Sequence, residues 1–130
     1  PCEVYGATLD QVLLTDGCRI YDATITNSVI GLRTIIESKA TIHDAVIMGA
    51  DYYETEEERA ENIRLGLPNV GIGEGSVIEA ALIDKNARIG KHVHIRCLPD
   101  RADEAHENWV SRDGLVVIPK NAVIPDDTAI

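Results

Sequence analysis

The sequence contains no phenylalanine, one tryptophan and one methionine among 130 residues. Four tyrosines complete an aromatic share of 4%, although 45% of the residues are hydrophobic. Cores of this length usually lean on Phe and Trp, each of which buries a large apolar area in one step. This interior must be filled with Ile, Val, Leu and Ala, which favours a thin core of repeated small slots. Basic residues are also scarce: 12 Lys and Arg stand against 22 Asp and Glu, a formal charge of −10. A field of that sign repels phosphate backbones and anionic lipid, so nucleic acid and membrane surfaces are excluded as natural partners. An anionic small molecule would need a local basic cluster. No apolar run approaches the roughly 18–20 residues that span a bilayer. No charged-then-apolar leader is visible, and a first residue of Pro1 rather than Met fits a processed or excised piece. Cys2, Cys18 and Cys97 show no CxxC or other metal-ligand spacing and read as reduced thiols of an intracellular protein. The length suits one domain, residues 1–130.

What is present is a repeat. An aliphatic residue recurs every 5 or 6 positions: Leu9, Leu14, Ile20, Ile25, Ile30, Ile36, Ile42 and Ile47, then Ile72, Ile78, Ile83, Ile89 and Ile95, then Ile118, Ile124 and Ile130. A helix would smear these residues around its surface, and one long strand would leave Ile30-Gly31-Leu32-Arg33 out of phase. A period of six fits a parallel β-helix, each hexad being a short strand plus a corner, three hexads to a triangular coil. The expected class is therefore all-β, with about five coils. The fifth residue of many hexads is small (Cys18, Thr24, Thr34, Ala40, Ser76, Ala87, Ala122 and Thr128), with Val46, Leu82 and Val93 as larger exceptions. Phe would overpack such slots. If Leu14 opens face one, Ile20 lies on face two and Ile25 on face three. The same order then assigns Ile30, Ile83 and Ile118 to face one.

Two segments leave the repeat. Residues 49–71 carry a capping box, Thr55 with Glu58, ahead of an acidic helical stretch that Gly66 and Pro68 stop. Residues 97–116 contain a second helix candidate, roughly 100–108. Ordered excursions of this length commonly carry function or form interfaces.

The chemistry-bearing residues are few. Lys85 and Lys120 are each the third residue of a face-one hexad in successive coils, so their ammonium groups project from adjacent rungs. Like charges so placed repel unless an anion lies between them, which reads as a phosphate or carboxylate clamp that Arg88 and Arg112 could join. The plain alternative is a pair of solvated lysines partnered by Asp84 and Asp126. His92 and His94 alternate and should face outward, with His43 far off in sequence. A three-histidine zinc site or a catalytic histidine, as in hexapeptide-repeat carbonic anhydrases and acyltransferases, lacks a matching third position. Gly71-Ile72-Gly73-Glu74-Gly75 suits corners better than a phosphate loop, and Tyr52 and Tyr53 suit anchors for the first excursion.

Three stretches carry a family likeness: SVIGLRTIIESKATIHDAVIMGADYYETEEER (28–59), LIDKNARIG (82–90) and GLVVIPKNAVIPDDTAI (114–130). They resemble the C-terminal domain of glucose-1-phosphate adenylyltransferase, also called ADP-glucose pyrophosphorylase. The resemblance implies a left-handed β-helix that carries subunit contacts of a homo- or hetero-oligomer and part of an allosteric site. The enzyme joins ATP and glucose 1-phosphate into ADP-glucose and pyrophosphate for glycogen or starch synthesis. ATP and Mg serve a separate catalytic domain, so no cofactor, catalytic residue or metal is expected in this one. The implied ligands are a phosphorylated effector such as 3-phosphoglycerate, and phosphate, in a bacterial cytoplasm or plastid stroma. Lys85, beside Asp84 in IDKNARIG, and Lys120, before an Asn-Ala pair, match the family's two effector lysines. Arg112 matches a basic residue before the last turn, while the family's nearby aromatic is displaced to Trp109.

Overall fold

The computed structural model describes residues 1–130, and in it the aliphatic columns stack in register. On face one Leu14, Ile30, Ile47, Ile83 and Ile118 are successive strand partners. On face two the column runs Val4, Ile20, Ile36, Ile72, Ile89, Ile124, and on face three Leu9, Ile25, Ile42, Ile78, Ile95. All these pairings are parallel, so each coil hydrogen-bonds to the next along the prism. Every large side chain that is almost completely buried is an isoleucine, twelve in all. That is the physical counterpart of the missing phenylalanine.

The face-two sheet has six strands, from Glu3–Tyr5 to Val123–Ile124. The prism therefore extends one rung beyond the coils counted from Leu14. Val4 opens it and stays 40% exposed, because nothing stacks above it.

The slots obey a simpler rule than a fixed hexad position: the residue two before each column isoleucine is the one that turns inward, and it is small at most rungs, with Val70, Val93 and Val116 as the larger occupants. Ala23, Ala45 and Ala81 fill slots that the expected pattern gave to Thr24, Val46 and Leu82, which point outward. The reason lies at the corners. From face three to face one the chain turns in five residues, and a left-handed residue sits two after the isoleucine: Asn27, Asp44 or Ala80. Six-residue corners place it three after, as in Arg33, Asn86, His92 and Asn121. Counting forward from an isoleucine slips by one at every short corner. The buried hydroxyls that replace Ala are satisfied locally, Thr34 Oγ1 donating to Gly31 O (2.8 Å) and Ser76 Oγ to Gly90 O (2.8 Å).

Ala80 holds φ of 48° without the side-chain hydrogen bonding that makes this region tolerable for Asn or Asp. Ala80→Gly is therefore expected to raise unfolding free energy by about 0.5–1 kcal/mol, the relieved strain exceeding the added freedom of the unfolded chain. Urea unfolding of the two proteins would show it, and a destabilised variant would contradict the strain argument.

The first excursion contains the expected helix, Glu56–Leu65, with both halves of the Thr55–Glu58 capping box formed and Gly66 in the left-handed conformation at its end. The second differs from expectation. Residues 100–108 form no helix; Glu104–Ala105 and Val110–Arg112 make an antiparallel hairpin added to Leu115–Ile118. The open edge of the face-one sheet captures this segment. Ser111 Oγ, which donates to Ala102 O (3.0 Å) and accepts from Glu104 N–H (3.0 Å), ties its base. No helix is long and apolar enough to cross a membrane.

Candidate functional site

The corner from face one to face two carries the lysines. Each is the second residue after a fully buried isoleucine, Ile83 or Ile118, and precedes an Asn in the left-handed region (Asn86, φ 60°; Asn121, φ 62°). The Asn121 N–H donates to Lys85 O (3.0 Å), so the two corners are stacked one rung apart. Both lysines are exposed. The register through residues 97–117 thus returns Lys120 to the corner that holds Lys85.

Asp51, at the start of the first excursion, sits against this corner. Its Oδ1 lies 3.3 Å from Lys85 Nζ. Asn86, nearly buried, grips it twice: Asn86 Nδ2 donates to Asp51 Oδ2 (3.0 Å), and Asn86 Oδ1 accepts from Asp51 N–H (2.9 Å). The Asn86 amide first, then the Lys85 ammonium, hold the Asp51 carboxyl below its ordinary value, with Lys120 adding at longer range. Neither of the expected acidic partners plays this part. Asp84 Oδ1 accepts from the Lys85 backbone N–H (2.7 Å), and Asp126 Oδ1 from Lys91 N–H (2.8 Å). Both carboxylates are spent on backbone N–H groups, Asp84 within its own turn and Asp126 on the neighbouring coil.

The arginines lie elsewhere. Arg88 Nη1 donates to Glu54 Oε2 (3.0 Å) and to Pro68 O (2.9 Å), closing the base of the first excursion. The Glu54 side chain is only 4% exposed and also accepts from Val70 N–H (2.6 Å) and Asn62 Nδ2. Arg112 is exposed at the turn that joins Val110–Arg112 to Leu115–Ile118, next to Asp113 and Gly114, both at positive φ. Tyr53 anchors the excursion as expected: its hydroxyl donates to Gly17 O (2.6 Å), and the Arg19 guanidinium lies over its ring. Gly17 is required there, since its φ is 77° and a Cβ would stand 2.5 Å from the Tyr53 hydroxyl. Tyr52 is exposed.

His92 is exposed and His94 is partly buried on face three. His43 stands two rungs from the His94 strand, beside Asp44, and no three His, Cys, Asp or Glu side chains converge. Asp51 and Asn86 were the residues missed from sequence. The face count carries no signal for Asp51: Ile47 pairs with Ile83, so Gly49 is the residue level with Lys85, and Asp51 lies two positions further, where the chain leaves the repeat; Asn86 is visible in the sequence only as a corner residue three past Ile83.

Face one also shows an outward ladder of aliphatic residues in register, Leu13, Val29, Val46, Leu82 and Val117. Leu13 is 69% exposed and Val46 42%.

One family model, described as the GLGC left-handed parallel beta-helix domain, matches residues 1–129. The coils accordingly wind left-handed, against the usual sense of parallel crossovers.

Proposed function

The chain belongs to the GLGC left-handed parallel β-helix family, the C-terminal domain of glucose-1-phosphate adenylyltransferase, and from that premise we propose that it serves such an enzyme as its regulatory and assembly domain. In this reading the transfer of the adenylyl group from ATP to glucose 1-phosphate belongs to a nucleotidyltransferase domain. The β-helix binds a phosphorylated effector, 3-phosphoglycerate or a chemical relative, or phosphate itself. The observation that carries the reading is the stacking of Lys85 and Lys120 on one corner, with a carboxylate already drawn to it. Adjacent strands lie about 4.8 Å apart, so two lysines at equivalent positions can each donate to a different oxygen of one phosphate. Their charge is local relief from a chain of net charge −10. Compact ammonium groups on flexible stems suit a ligand that arrives and leaves under metabolic control.

The aliphatic ladder supports the assembly role. A row of five exposed or half-exposed Leu and Val side chains on a flat sheet face is unusual for a surface that stays in water. The enzyme of this reading works as an oligomer in a bacterial cytoplasm or plastid stroma.

The effector role is tested in the enzyme that carries this domain, by ADP-glucose synthesis against 3-phosphoglycerate. Lys85→Ala and Lys120→Ala are each expected to raise the half-activating concentration about tenfold, the loss of one charge-assisted contact at a partly solvated site. Unchanged activation in both variants would sink the proposal.

A further inference from the structure

Resting on the effector reading of Lys85 and Lys120, we infer that Asp51 is a built-in occupant of the anion position at this corner, which an incoming phosphate must displace. Asp51 Oδ1 already takes the Lys85 ammonium at 3.3 Å, and its Oδ2 is held by Asn86. Both carboxylate oxygens are therefore spent on the corner that the phosphate would use. Two anions sharing one ammonium repel each other, so occupancy by Asp51 and by phosphate are alternatives. The Asn86 amide first, then Lys85 and more distantly Lys120, favour the charged form of the Asp51 carboxyl, in keeping with its place at this corner.

The backbone around Asp51 is built for such an exchange. On its N-terminal side Ala50 is fastened twice, its N–H donating to Leu32 O (2.8 Å) and its carbonyl accepting from Arg33 Nε (2.9 Å). On its C-terminal side Tyr53 is held by Gly17 and Glu54 by Arg88. Between these anchors Asp51 is fastened only to Asn86 and Lys85, by side chain and by N–H. Losing those contacts frees a strap of two residues, Asp51 and Tyr52, without disturbing the prism. Occupancy of the corner is thereby converted into the state of an exposed strap that carries Tyr52 on its surface.

The competition has a measurable consequence. Asp51→Asn keeps the shape and the hydrogen bonds to Asn86 but removes the rival charge. By isothermal titration with inorganic phosphate, the variant is expected to bind three- to tenfold more tightly than the parent chain, while Lys85→Ala with Lys120→Ala binds more weakly. In the parent chain, phosphate is expected to speed hydrogen exchange at the Asp51 amide, whose N–H donates to Asn86 Oδ1. Equal phosphate affinity in the parent and in Asp51→Asn, with weaker binding in the lysine variants, overturns the role of Asp51 and leaves the effector reading standing. Tighter binding by Asp51→Asn with no change of amide exchange in the parent overturns displacement, because a field effect alone would explain it. Phosphate binding that ignores both lysines overturns the effector reading, and the Asp51 inference falls with it.

Discussion

Ile78→Ala is expected to lower the unfolding free energy by about 3–4 kcal/mol, and Ile78→Phe by about 2–3 kcal/mol. Ile78 is fully buried and stacks between Ile42 and Ile95, which are fully buried too. Truncation leaves a cavity that neither neighbour can fill, because each is pinned by its own strand pairing. Enlargement fails for a different reason. The buried slot two residues earlier is Ser76, whose hydroxyl donates to Gly90 O, so the wall beside Ile78 cannot retreat without breaking a buried hydrogen bond. Ile78→Leu conserves volume and should cost less than about 1.5 kcal/mol. Urea unfolding followed by circular dichroism measures all three. A phenylalanine variant within about 1 kcal/mol of the parent would show that the interior is not too narrow for a ring, and the explanation offered for the absence of that residue would fail.

Glu54→Ala is the second large effect, an expected loss of about 3 kcal/mol. The carboxylate is nearly buried and carries three kinds of partner, the Arg88 guanidinium, the Val70 N–H and the Asn62 amide. Its removal leaves the mostly buried Arg88 charge without its partner and two donors unsatisfied. Adding Arg88→Ala should cost less than the sum of the single losses, since the second change removes the stranded charge. The same group sets an acid dependence. Burial alone would raise the Glu54 carboxyl, but the Val70 N–H, Asn62 and Arg88 outweigh it and hold the value below that of an ordinary glutamate. A carboxyl depressed by folding contributes its stability in full above the unfolded value, and loses it as pH falls through the folded one. Stability should therefore decline below about pH 4.3. In Glu54→Gln, which cannot ionise, that decline should be shallower; an unchanged acid limb would rule Glu54 out as its source.

Much of this molecule could be read from residue order. The hexad columns predicted which face each isoleucine takes, and the count survived both excursions, so Lys85 and Lys120 return to one corner. The helix of the first excursion was equally legible, because Thr55, Glu58 and Gly66 act on neighbours within one turn. Other features depended on chain brought from far away. The segment 100–108 has a helical composition but meets the free edge of a sheet, and edge pairing overrides a weak local preference. Arg88 looked like a spare positive charge until Glu54 was placed 34 positions upstream and almost out of water.

The sequence by itself determined the prism: an aliphatic residue every five or six positions can bury itself only by stacking on its own kind, and such slots admit no phenylalanine. Only the tertiary structure decided what the corner above Ile83 and Ile118 holds. The Asp51 carboxylate is drawn there by Lys85 and Asn86, 34 and 35 residues away in the chain. Packing inside the prism repeats with the sequence period and is therefore legible in one dimension. Charge pairing on its surface joins a loop to whichever rung lies below it, and that neighbour exists only once the coils are wound.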